Sequence, residues 1–142
     1  MVDLLIDEVH GADLGDERLN QRLVRIVERF GQSPNLSIPA ATTSRAEMEA
    51  AYRFFNNENV SSDRILAPHA ERTLERMAGQ SLVLMVQDTT EIDLTRPSQP
   101  VRGAGPMDCE SRRGAFFHPL MAFTPEGIPL GVLAELIPHR LF

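Results

Sequence analysis

Lysine and tryptophan are missing from this chain of 142 residues, and cysteine and tyrosine occur once each. The lone Cys109 excludes an intrachain disulfide, and no Cys or His pair has zinc-ligand spacing. His10, His69, His118 and His139 therefore read as scattered structural or surface side chains, with His118 a core or edge histidine. Long apolar runs are lacking too. Nothing approaches the roughly 20 residues that span a bilayer, and the opening MVDLLIDEVHG is acidic where a signal peptide is basic. A soluble, cytoplasmic protein with no membrane partner is expected. Its 42% hydrophobic and 24% charged residues suit one ordinary globular domain or two very small ones.

All 14 basic residues are arginine, set against 20 acidic ones for a net charge of −6. That balance speaks mildly against nucleic-acid binding, whose affinity comes from clustered cations, but distribution matters more than the sum. Residues 13–30 predict a helix: Leu19, Leu23, Ile26 and Phe30 recur on one face. Arg18, Arg22, Arg25 and Arg29 recur at the same steps one residue earlier, about 100° round the helix. Two readings of this stripe stay open. It is either a solvated face partly neutralised by Glu17 and Glu28, or a surface that tracks phosphates.

Residues 31–43, with two prolines, read as a connector. Ser44 followed by Glu47 is a capping-box signature that opens a second helix, with Ala46, Ala50 and Phe54 on its inner face and Ala51 and Phe55 widening it. A third helical stretch runs from Ser61 or Ser62 to about Ala78, interrupted at Pro68 and stopped by Gly79. Beyond it, the apolar run Leu82 to Val86 predicts a buried strand that leads into Asp88. Residues 95–113 form a long loop. Phe116 to Phe123 and Ile128 to Ile137 are strand candidates joined by the turn TPEG at 124–127. The fold class expected is α+β, with a helical domain at 1–79 and an antiparallel meander at 80–142.

An apolar strand delivering Asp88, with Glu91 and Asp93 nearby, is how a carboxylate is mounted for metal chemistry. The competing reading has Asp88 hydrogen-bond its own turn. Glu91 and Asp93 read as solvated, with Asp93 placed on the strand face opposite Asp88 and Glu91. Cys109 has no neighbour that would activate it as a nucleophile.

Several segments in this order, LGDERLNQRLV at 14–24, SIPAA at 37–41, AAYRFFNN at 50–57, PH at 68–69, QDTTEIDL at 87–94 and GIPLGVL at 127–133, resemble one family. The chain is similar to the N-terminal part of bacterial insertion-sequence transposases of the IS4 class, the group related to Tn5 transposase. The resemblance implies a helical domain that binds double-stranded DNA at transposon inverted repeats, followed by the first three strands of an incomplete RNase H-like domain. In such DDE-type enzymes an Asp, Asp, Glu triad binds Mg²⁺ to cut and join DNA. Asp88 matches the first aspartate, as catalytic residue and metal ligand, while Arg22, Arg45 and Arg53, with Arg18 added, match DNA-contacting positions. No residue matches the second aspartate or the glutamate, so the chain alone is expected not to be catalytic and Mg²⁺ is expected only in the complete enzyme. The chain also has Leu5 and Ile6 where the family tends to carry tryptophan, and the ending AELIPHRLF departs from the family pattern. Truncation, frameshift or a fragmentary gene would each account for that ending. The resemblance admits a homo-oligomer or a full-length transposase as protein partner. The alternatives are a DNA-binding regulator or inhibitor of an intact transposase, and an unrelated metal phosphoesterase fragment.

Overall fold

The computed structural model describes residues 2–96, 98–99 and 101–136. They form two compact units that divide between Arg72 and Thr73. The proposed end of the last strand at Ile137, and His139, lie outside the described residues.

The first unit is helical. Its longest amphipathic segment is α2, Glu17–Gln32, which starts four residues later than the periodicity alone predicts. Residues 13–16 are used to start it instead. Asp13 accepts from the Gly15 amide at 2.9 Å, and Asp16 caps the helix by accepting from the Arg18 amide at 2.8 Å. Leu23 and Ile26 are buried as expected, joined by Leu19 and Phe30 at the margin of the core. Before α2 comes α1, Val2–Val9, which the sequence reading did not assign. Gly31 is the point of close approach between them, because a Cβ there would stand 2.7 Å from Leu5 Cδ1. The connector holds a one-turn helix, α3, Ile38–Ala41.

The next helix, α4, is Arg45–Phe55, with Ser44 as its cap. Its inner face is turned from the one expected: Ala51 and Phe54 are buried, Ala50 is half-buried and Ala46 is exposed. The reason lies at the N-terminus. Ser44 Oγ accepts from the Glu47 amide at 3.2 Å, but Glu47 does not return to the Ser44 amide as a capping box would. It accepts from the Thr43 amide and hydroxyl, both at 2.7 Å, and from Arg29 Nε at 2.9 Å. The carboxylate is pulled inward toward α2, and Ala51, one turn on, follows it. Phe55, though exposed, is stacked on Phe30 with ring centroids 6.5 Å apart.

A last helix, α5, Ser62–Ala78, runs without a break through Pro68. The expected interruption is absent. Ser61 Oγ accepts from the Arg64 amide, so the N-terminal turn is supported by a cap, and the buried proline costs one backbone hydrogen bond without ending the helix.

The second unit contains an antiparallel sheet. Its strands are β1, Leu84–Gln87; β2, Thr90–Asp93; β3, Gly105–Pro106; β4, Arg113–Phe123; and β5, Pro129–Leu136. All four of the others pair with β4. Strands β1 and β2 keep one register along β4, from Leu84 opposite Phe123 to Asp93 opposite Gly114, so they are two parts of a single edge strand. Continuing that register puts Asp88 and Thr89, where the ladder is broken, opposite Pro119 and His118. Pro119 has no N–H to give, and Thr89 Oγ1 instead meets His118 Nδ1 at 2.8 Å. The TPEG turn closes as expected. Gly127 takes φ +85° and donates to the Thr124 carbonyl at 2.9 Å.

The expectation that β1 is buried is not met, since Leu84, Met85 and Val86 are each more than 40% exposed. A continuous apolar run signals a strand covered on both faces, and in this unit β1 is an edge strand paired only with β4.

Candidate nucleic-acid interface

Three of the four arginines singled out from the sequence meet in one place. Arg18 and Arg22 on α2 and Arg53 on α4 line a groove of about 270 Å³ together with Asp16, Leu19, Ala50, Phe54 and Asn57. The groove exists because α2 and α4 pack through Leu23, Ile26, Ala51 and Phe54. Small Ala50 leaves space between the helices at the surface. Arg18 and Arg22 are one turn apart, about 6 Å along the axis at 1.5 Å per residue, with Arg53 facing them. Arg22 also lines a smaller recess beside it with Arg25, Arg29, Thr42 and Glu47, so the basic surface continues along α2.

Hydrogen bonding separates the arginines into two kinds. Arg29 donates to Glu47 and Gln32, Arg64 to the Asn59 carbonyl and Arg72 to the Asp7 carbonyl. These hold the unit together. The guanidinium groups of Arg18, Arg22, Arg25 and Arg53 have no acceptor among the described residues. Among the described residues neither Glu17 nor Glu28 forms an ion pair with these arginines; Glu17 accepts from the Gln21 side-chain amide at 3.0 Å, and both carboxylates act on the stripe only through their charge at longer range. Asp16 is the one carboxylate lining the groove, and its Oδ1 is engaged in capping α2. An unpaired, planar donor fork suits a phosphate oxygen pair.

Arg45 does not join this group. It stands at the start of α4, 87% exposed, with Nε on Glu49 Oε1 at 2.8 Å. Arg25 belongs to the helical stripe, and its sequence position alone does not mark it as a contact. Its lack of an internal partner is the signal that includes it, and that signal needs coordinates.

Glu47 is the electrostatic hinge of the unit. Its carboxyl is held down to about 2, from an ordinary 4.5, by the Thr43 amide first, then the Thr43 hydroxyl, then Arg29. The ionised carboxylate keeps Arg29 out of the groove-lining set.

In the second unit, Asp88 is exposed and its Oδ1 accepts from the Thr89 amide at 2.7 Å, the local turn bond weighed above. Glu91 and Asp93 lie on one side of β2, not on opposite faces, as the two-residue period of a strand requires. Both are held by Arg112, at 3.0 and 3.2 Å, and Asp108 completes the cluster at 2.9 Å. Hydrogen bonds to Thr95, and then Arg112, lower the Asp93 carboxyl. The same cluster raises Arg112, through Glu91 first. Among the described residues, no group of three or more His, Cys, Asp or Glu side chains is arranged to hold a metal ion. Cys109 is exposed with Sγ 3.1 Å from Ser111 Oγ.

Residues 1–60 match the family model described as transposase DNA-binding. That match supports a transposase N-terminus that binds DNA, and every residue lining the groove falls inside it. No described helix is long and apolar enough to cross a membrane.

Proposed function

We propose that the chain is the N-terminal part of a DDE-type DNA transposase of the IS4 class, and that the α2–α4 groove seats the backbone of double-stranded DNA at the element's terminal inverted repeats. The observation that carries this reading is the coincidence of the matched segment with Arg18, Arg22 and Arg53, which line one groove and have no side-chain acceptor among the described residues. Phosphate contacts position a protein on DNA, while base edges give sequence choice. Asn57 also lines the groove; its Oδ1 accepts from the Asn59 amide at 2.9 Å, which leaves the side-chain NH2 as the group that would donate to a base edge.

In this reading Asp88 supplies the first carboxylate for Mg²⁺ in an RNase H-like domain. Oδ1 is occupied by the Thr89 amide, and Glu91 and Asp93 are committed to Arg112. The described residues therefore do not make a metal-holding set, and Mg²⁺ chemistry has no step that these residues carry by themselves.

The test is a salt titration of binding to a duplex carrying the inverted repeat that flanks the gene. Each lost phosphate contact lowers the slope of log K against log salt by about 0.9. The Arg18→Ala, Arg22→Ala, Arg53→Ala triple variant should then lose about 2.7 from the slope and weaken binding to repeat and random duplexes alike. An unchanged slope would remove the groove from the interface.

A further inference from the structure

A second set of arginines without a side-chain partner among the described residues lies in the other unit, where β2 ends and β4 begins. Arg96 and Arg113 line a recess of about 410 Å³ with Leu94, Thr95, Val101, Ala104 and Ser111. We propose that this recess binds a phosphate group through the Arg96 and Arg113 guanidinium forks. The site stands on the second unit alone and does not rest on the groove reading.

The argument starts from the contrast between two adjacent residues. Arg112 and Arg113 are consecutive at the start of an extended strand, so their side chains point to opposite sides. On one side Arg112 gathers Glu91, Asp93 and Asp108. Three carboxylates are thereby removed from the reach of Arg113. On the other side, neither Arg113 nor Arg96 donates a side-chain hydrogen bond among the described residues, and no carboxylate lines the recess. Two uncompensated cations facing one hollow repel each other, and a polyanion that accepts from both relieves this. A phosphate brings one negative charge and two unesterified acceptor oxygens in a backbone diester, and more of both as a monoester or free anion, which suits two forks with the Ser111 hydroxyl beside them.

The floor of the recess is fixed in advance. The Leu94 amide donates to the Arg113 carbonyl at 2.8 Å, the Arg113 amide donates to Thr95 Oγ1 at 2.9 Å, and the Thr95 amide donates to Asp93 Oδ1 at 2.9 Å. The Arg113 backbone is thus tied to Leu94 and Thr95, the two residues before Arg96, and through Asp93 to the Arg112 cluster. Asp88 is six residues before Leu94, about 20 Å along an extended strand, so the recess does not share its contacts.

One phosphate chemistry has two sources, a nucleic-acid backbone and a free phosphate anion. The full chain and an Arg96→Gln, Arg113→Gln double variant are compared in two assays: salt titration with a 30-base-pair duplex, and calorimetry with inorganic phosphate. A fall in the duplex salt slope of about 1.8 identifies a backbone phosphate. Loss of inorganic phosphate binding with an unchanged slope identifies the free anion. A double variant equal to the parent in both assays overturns the proposal. An Arg96→Lys, Arg113→Lys variant guards against damage to the fold, because it keeps the charge and should retain the parent slope. Since the groove variant alters only the first unit, either site can fail without the other.

Discussion

Replacing Glu47 with Gln should destabilise the helical unit while leaving its basic groove intact, and the size of the effect follows from the three groups that donate to one carboxylate. Glu47 accepts from the Thr43 amide and hydroxyl and from Arg29, and Ser44 caps its amide. Lowering of the carboxyl from 4.5 to about 2 sets an upper bound of roughly 3.4 kcal/mol, at about 1.36 kcal/mol per unit. The side chain is 21% exposed and its partner Arg29 35% exposed, so solvent screening reduces that bound, and about 1–2 kcal/mol is the working expectation. The sign is that of a depressed carboxyl. Its contribution is complete above pH 4.5 and is lost as the pH falls from there toward 2. Chemical denaturation of the parent chain should therefore show stability falling across that window, and Glu47→Gln should be less stable at pH 7 and flatter between pH 4.5 and 2. Parallel acid profiles for parent and variant would refute the assignment of the shift to this cluster. DNA affinity gives an independent reading. Releasing Arg29 adds a guanidinium beside Arg22 and Arg25, so binding at neutral pH should hold or strengthen as stability drops.

Arg45→Ala should weaken duplex binding less than Arg53→Ala in the same anisotropy titration, because Arg45 is outside the groove and already paired with Glu49. Gly114→Ala should cost about 1–3 kcal/mol in denaturant unfolding, since an added Cβ collides with the Ile92 carbonyl oxygen and comes within 2.7 Å of Met107 Sδ. A cost under about 0.5 kcal/mol would show that β2 and β4 do not approach as closely as this. Val86→Lys on the exposed edge strand should reduce concentration-dependent association in sedimentation without lowering the melting temperature, because a lysine on a sheet edge opposes pairing with another chain.

The parts of this fold that could be read from sequence are those fixed by residues within a few positions of one another. The period of Leu19, Leu23, Ile26 and Phe30 located α2, and Ser44 located the start of α4. The spacing of Val2, Leu5, Ile6 and Val9 is helical as well, but a segment this short is marginal as a helix by itself and depends on its packing against α2. What escaped depends on distant partners. Glu47 reaches back 18 residues to Arg29, which turned the inner face of α4 away from Ala46. Arg112 reaches back 21 residues to Glu91. The exposure of β1 likewise depends on what covers it, not on its own apolar residues. At the candidate interface the sequence supplied the residue types and three of the four positions, but not which guanidinium groups are occupied.

That occupancy resolves the apparent conflict between a net charge of −6 and a surface for DNA. Affinity for a phosphate backbone depends on the cations that can release its counterions, and an arginine held by a protein acceptor contributes less to that release. Arg29 and Arg112 are consumed by Glu47 and by the Glu91, Asp93 and Asp108 cluster. Glu47 is balanced by Arg29 in the first unit, whereas the Arg112 cluster, with one cation for three carboxylates, keeps its surplus negative charge within the second unit. Acidic residues then do two things at once: they fix the scaffold through the arginines they bind, and they leave Arg18, Arg22, Arg25 and Arg53 as a local excess of positive charge along α2 and α4. In the proposed binding mode, at a Debye length of about 8 Å in physiological salt, a DNA strand in the groove would experience that local excess much more than the net charge of the whole chain. The same reasoning requires that raising the salt concentration weaken binding steeply even though the protein is an acidic one.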